Sequence, residues 1–216
     1  LNRDGQDIQD KIKKEEQHWI HRRGFGYNGG GLEREDEKET EMAIAVGNKA
    51  ASFSFSDQDG KPWKYPDDFP GKTAIFFLRH LGCPLCKAKL AELKAVYPRF
   101  EAKAVKLVVV AQATARRAAQ YSAKEMLPFT LVPDREKNLY NQFEVRRGGL
   151  KEYTAPAAFV ATVKATFQGH MHGRFEGDEF QVPASFLLGQ GGEVIYAHYG
   201  KDVSDFGSVD ELLGKA

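Results

Sequence analysis

The sequence predicts an α/β fold: a central mixed β-sheet flanked by helices, with an extended N-terminal arm. Three observations predict it. Two nearly continuous apolar runs, "KTAIFFLR" and "KLVVVAQ", read as strands buried on both faces. Helical segments alternate with them, as in a sheet covered on both sides. Late in the chain, "PASFLLGQGGEVIYAHYG" reads as a hairpin, two β-rich runs around a Gly-rich turn.

A change of character near Val46 sets the boundaries. Residues 1–45 are mixed in charge and Gly-containing, with "NGGG" followed by "LEREDEKETE". "IQDKIKKEEQHWI" fits one short amphipathic helix. The remainder holds too few apolar residues for a core of its own. The arm is therefore expected to dock on this chain or on another, with Trp19, Ile20, Phe25 and Tyr27 as anchors, because large apolar side chains bury the most area. Its acidic run would repel phosphates, which sets aside the basic-aromatic "HWIHRRGFGY" as a nucleic-acid contact.

Residues 46–216 read as one domain. "SFSFSD" and "KPWKY" are short strands around a turn at Asp59-Gly60. "KTAIFFLR" follows, and then "CPLCKAKLAELKAVYPRF" as one helix. "KLVVVAQ" is the next strand and "ARRAAQYSAKEM" the next helix. "FTLVPD" is a short strand, "DREKNLYNQF" a helix, and "APAAFVATVKATF" another. After the hairpin, "SVDELLGKA" closes the chain as a helix capped by Ser208, with Glu211 as its capping-box partner.

Composition limits the functional classes. At 216 residues the chain suits one good core plus an appendage. A net charge of +1 argues against a broad nucleic-acid surface. No apolar run is long enough to cross a bilayer as a helix, and no secretory signal peptide stands in the sequence as given. The first residue is Leu1, which fits a processed N-terminus. A soluble protein of an organelle interior, chloroplast or mitochondrion, is expected ahead of a cytoplasmic one.

The two cysteines of the chain, Cys83 and Cys86, stand in "RHLGCPLCKAKLAEL". Cys83 follows a buried strand and a Gly, and Pro84 takes the first helical turn, where its missing N–H costs nothing. Cys83 is thus expected at the N-cap, where unpaired N–H groups and the helix dipole favour a thiolate. Lys87 and Arg79 are candidates for added positive charge. Cys86 falls on the stripe Cys86, Leu90, Leu93, Tyr97 and is expected to face the sheet. One exposed, activated thiol and one sheltered, resolving thiol make a dithiol–disulfide centre. Two other readings compete: cysteines that merely pack, and a metal site. His80 with both cysteines lacks the ligands to close a metal shell, and the His170 and His172 pair in "GHMHG" does not complete one. No metal and no cofactor are expected.

"FFLRHLGCPLCKAKLAEL", "GDEFQVPASFLLGQGGEVIYAHYGKDVSDF" and the order of elements resemble the peroxiredoxin-like branch of the thioredoxin superfamily, the AhpC/TSA-type, peroxiredoxin-like 2 group. The resemblance covers roughly residues 44–214. It implies a thioredoxin-like fold, and a cis-proline at Val182-Pro183 facing the CxxC. It also implies a thiol electron donor such as thioredoxin or glutathione. Peroxiredoxins carry a Pro and a Thr six and three positions before the reactive Cys; here Phe77 and His80 stand there. His80 is read either as a donor or base toward Cys83 or as a packed residue at a strand end. Three functions follow: a thiol–disulfide oxidoreductase with Cys83 attacking and Cys86 resolving; a peroxiredoxin-like peroxidase passing through a Cys83 sulfenic acid; or a non-catalytic subunit of a larger assembly docked through residues 1–45.

Overall fold

The computed structural model describes residues 44–173 and 176–216. The expected anchors Trp19, Ile20, Phe25 and Tyr27 lie outside the described residues. Two strands open the domain, β1 (Phe53–Ser56) and β2 (Pro62–Tyr65), paired antiparallel with Phe53 opposite Tyr65. The Asp57 carboxylate closes their turn: it accepts from the N–H groups of Asp59 and Lys61 and from the Trp63 indole.

The main sheet has the order β5-β4-β3-β6-β7. Its strands β3 (Thr73–Phe77), β4 (Lys106–Ala111) and β5 (Thr130–Pro133) run parallel. The hairpin strands β6 (Ala184–Leu188) and β7 (Val194–Tyr199) add antiparallel to β3. Gly192, at φ +90, makes the hairpin turn, a conformation that a side chain would strain. β3 is the central strand and is buried along its whole length. Ala74 and Phe76 enter one core, with Leu90 and Leu93. Ile75 and Phe77 enter the other, with Tyr65, Phe69, Tyr140 and Phe143.

The expected helix over "CPLCKAKLAELKAVYPRF" is two helices, α1 (Pro84–Ala95) and α2 (Tyr97–Ala102). Pro98 explains the break: in one continuous helix it could not donate to the Lys94 carbonyl. α3 (Ala115–Glu125) lies where expected. "DREKNLYNQF" is helical only as α4 (Asn138–Gln142). The Asp134 carboxylate caps it, accepting from the N–H groups of Asn138, Leu139 and Tyr140. A short helix, α5 (Leu150–Tyr153), precedes α6 (Pro156–Phe167). α7 (Val209–Gly214) ends the chain, with Ser208 Oγ accepting from the Glu211 N–H. Among the described residues, no helix is long and apolar enough to cross a membrane.

The cis peptide bond among the described residues is Tyr65–Pro66; Val182–Pro183 is trans. The sequence-based expectation at Pro183 is therefore corrected. The bond lies between the Arg147–Gln181 bridge and the start of β6.

Asp134 is buried and satisfies three backbone donors at once. Asp134→Ala is expected to cost roughly 2–4 kcal/mol. Chemical denaturation of the two proteins checks this, and an unchanged midpoint would refute it.

Candidate active site

Residues 78–83 carry the chain from the end of the central strand β3 to α1. The Tyr140 hydroxyl donates to the Leu78 carbonyl and steadies the strand exit. Cys83 is the N-cap of α1, with extended backbone at φ −71 and ψ 130. Its sulfur accepts from the Cys86 N–H at 3.5 Å. Arg79, from the start of the turn, reaches back: its Nη2 donates to Cys83 Sγ at 2.9 Å. Its own backbone N–H donates to Cys86 Sγ at 3.3 Å. One residue thus contacts both sulfurs, with its charge on the first and its amide on the second.

Both cysteines are free thiols, and both are fully buried at 0 % exposure. This corrects the expectation of an exposed Cys83: the Arg79 guanidinium lies against the sulfur and is itself buried. Lys87 does not add its charge there; its Nζ donates to the Met171 carbonyl at 2.7 Å.

The electrostatics separate the two thiols. Burial raises the Cys83 pKa. A hydrogen bond from the Cys86 thiol, the Arg79 charge and the Cys86 N–H outweigh burial and bring it down to about 6. For Cys86, burial and the neighbouring Cys83 sulfur both push upward, and its pKa lies well above the ordinary value. The pair therefore holds one thiolate and one thiol at neutral pH.

A residue that sequence reasoning missed organises the cluster. Glu179 stands 100 residues from Arg79 along the chain. Its carbonyl accepts from Arg79 Nη1 at 2.6 Å, and its carboxylate Oε2 lies 3.5 Å from the same nitrogen. Its Oε1 lies 2.7 Å from His80 Nε2 and 3.6 Å from His172 Nε2. The His80 contact is close but not aligned as a hydrogen bond. His80 Nδ1 accepts from the Gly82 N–H, so the ring proton sits on Nε2, toward Glu179. Both ring nitrogens are thus turned to groups other than Cys83.

The strand exits hold the Glu179 segment in place. Gln112, just past β4, accepts from the Asp178 N–H, and Asp178 pairs with Lys137 and Arg147. A Cβ at Gly177 would stand 2.9 Å from Gln112 Oε1 and 3.2 Å from His80 Cβ, so any side chain there would force these neighbours to shift. Pro183 lies just before β6, beyond the β3–β6 pairing of Phe77 with Ala184. The signal for Glu179 was "GDEF" in the quoted motif, but nothing local pointed it at Arg79.

A cavity of about 510 Å³ adjoins the cluster, lined by Arg79, Pro84, Tyr153, Phe159, His172 and Glu179 among others. Arg79 forms its link to the sulfur. Among the described residues, no group of three His, Cys, Asp or Glu side chains is arranged to hold a metal ion.

A family model described as "AhpC/TSA family" matches residues 46–197. The chain belongs to that family. A prostamide/prostaglandin F synthase of Salmo salar is 30% identical over 140 residues, which cover 60% of this chain and 66% of that protein. Peroxiredoxin-like 2A of Rattus norvegicus is 26% identical over 178 residues, 77% of this chain and 75% of that one. The crystal structure of peroxidoxin BcpB from Mycobacterium tuberculosis superposes with a TM-score of 0.59 at 16% identity, over 80% of this chain and 96% of that one. That likeness shows the fold alone. In this AhpC/TSA chain the Cys83 turn, α1 and the residue 176–181 segment all fall inside the matched span.

Ultraviolet thiolate absorbance of the reduced protein is expected to titrate in two separate steps. The first lies near pH 6, and Cys83→Ser removes it; the second lies well above an ordinary thiol. Stability follows the same sign: a depressed pKa stabilises the fold at high pH, and that contribution fades as pH falls through about 6. A single step near pH 9 would contradict the assignment.

Proposed function

We propose that this chain is a thiol peroxidase of the peroxiredoxin-like kind, with Cys83 as the attacking thiolate and Cys86 as the resolving thiol. The observation that carries the reading is the Arg79 Nη2 to Cys83 Sγ contact at 2.9 Å, beside a second thiol held protonated. The Cys83 thiolate attacks the outer peroxide oxygen. The O–O bond breaks, and the sulfur is oxidised to sulfenic acid while the peroxide is reduced. The proton lost from the Cys83 thiol ends on the leaving oxygen. Arg79 supplies positive charge where that oxygen becomes an anion. Cys86 then attacks the sulfenic sulfur, a disulfide forms and water leaves. An external dithiol or two monothiols return the pair to the reduced state.

Burial favours a peroxide over a protein disulfide as the first oxidant. The sulfur is at 0 % exposure and the cavity stops at Arg79, so a small peroxide needs only that side chain to shift, whereas a folded partner's disulfide needs the whole Glu179 segment to move. Thiol–disulfide exchange is then the reducing half of the cycle. The chain's donor is proposed to be a thiol protein or glutathione.

The reading is tested by mass spectrometry of the reduced protein after a short exposure to hydrogen peroxide. An intramolecular Cys83–Cys86 disulfide is expected. Cys86→Ser is expected to stop at a Cys83 sulfenic acid that a nucleophilic trap labels, and Cys83→Ser to form neither. Arg79→Lys is expected to slow the reaction by roughly 10²-fold, since a single ammonium cannot meet both Cys83 and Glu179. Cysteines that stay reduced under peroxide would refute the proposal.

A further inference from the structure

The helix α6 is packed with its small residues inward. Ala158 and Ala165 are buried against the core, with Ala161 partly so. Its large apolar residues point out: Phe159 is 70 % exposed, Val160 65 %, Val163 39 % and Phe167 89 %. They are spaced as one helix face. Leu150 on α5 and Met171 just beyond α6 are exposed as well. Among the described residues, seven of the nine exposed large apolar side chains lie between Leu150 and Met171. The four on α6 form one exposed apolar face, the kind of surface that marks an interaction site.

The charges of this stretch select the occupant. Lys151 and Lys164 are exposed, and Lys164 follows Val160 by one turn on the outward face. The stretch holds one carboxylate, Glu152, and it is committed: it accepts from the Gly149 N–H and pairs with Arg146. A second copy packed helix to helix would bring these lysines together with no carboxylate of the stretch to meet them. An anionic lipid surface meets both features, with acyl chains for the phenylalanines and headgroups for the lysines. Phe159 is shared between this face and the wall of the cavity that ends at Arg79.

We propose that the outer face of α6 docks on an anionic lipid surface, with Phe159, Val160, Val163 and Phe167 entering the interface and Lys151 and Lys164 at the headgroups. The mouth of the cavity beside Arg79 then opens at the lipid. The surface goes beyond the thiol chemistry and does not depend on it.

The test is flotation of the full chain with vesicles of phosphatidylcholine, with and without phosphatidylserine. Binding to the phosphatidylserine vesicles is expected, weakened by salt. Val160→Glu with Phe167→Glu is expected to lower it about tenfold or more, and Lys164→Glu to lower it less. Both glutamates replace exposed side chains, and an unchanged melting temperature and peroxide-driven disulfide confirm that the variant is folded. Three results would overturn the proposal. The first is no flotation on either vesicle. The second is flotation that survives the double substitution, or that is equal on phosphatidylcholine alone. The third is a dimer, seen by sedimentation, that the double substitution splits while vesicles stay unbound, which would assign the face to a second copy.

Discussion

The site depends on one cation held between two anions. Arg79 sits at the exit of the central strand, with one guanidinium nitrogen on Cys83 Sγ and the other on the Glu179 carbonyl, close to that residue's carboxylate. A buried guanidinium must be paired to be tolerated. A buried thiolate faces the same requirement. Each therefore answers the other's desolvation, and Glu179 keeps the cation from being neutralised by Cys83 alone. The hydrogen bond from the Cys86 thiol, the Arg79 charge and the Cys86 N–H at the helix N-cap together place the charge on Cys83. The same residue's backbone amide meets Cys86, so strand exit and helix start are joined at both sulfurs.

The rest of the fold serves that junction. β3 is buried on both faces, so its end is fixed in position. The hairpin β6–β7 adds beside it and brings the Glu179 segment to the same end of the sheet. Gln112 and the Asp178 pairs with Lys137 and Arg147 then clamp that segment over the turn. The price is access: both sulfurs are covered. A small oxidant suits such a site, since the 510 Å³ cavity brings it as far as Arg79, the side chain that covers Cys83.

Much of this was legible in the sequence, for local reasons. The apolar runs of β3 and β4, the Gly-rich hairpin turn and the strand–Gly–Cys–Pro order each follow from one stretch of chain. So did the N-cap position of Cys83 and the sheltered place of Cys86. The break at Pro98 was legible too, since proline cannot donate in a helix interior, yet the apolar stripe through Tyr97 argued for continuity. Other features needed the fold. Glu179 is a carboxylate far along the chain, and only the antiparallel addition of β6 brings it to Arg79. The burial of Cys83 followed from that same contact. The bond at Val182–Pro183 is trans where the family resemblance implied a cis-proline, and nothing in the local sequence marks the difference. The outward phenylalanines of α6 carried no sequence signal, since an apolar helix reads the same whichever side it buries.

The claim that Arg79 is held on the sulfur by Glu179 is tested most directly by a pH profile. The rate of peroxide-driven Cys83–Cys86 disulfide formation is measured across pH for the protein and for Glu179→Gln. The account predicts half-maximal rate near pH 6 for the unaltered protein. It predicts a displaced midpoint and a slower plateau for the variant, whose guanidinium has lost its carboxylate. A midpoint near that of an ordinary thiol in the unaltered protein, or one that does not move in Glu179→Gln, would contradict it.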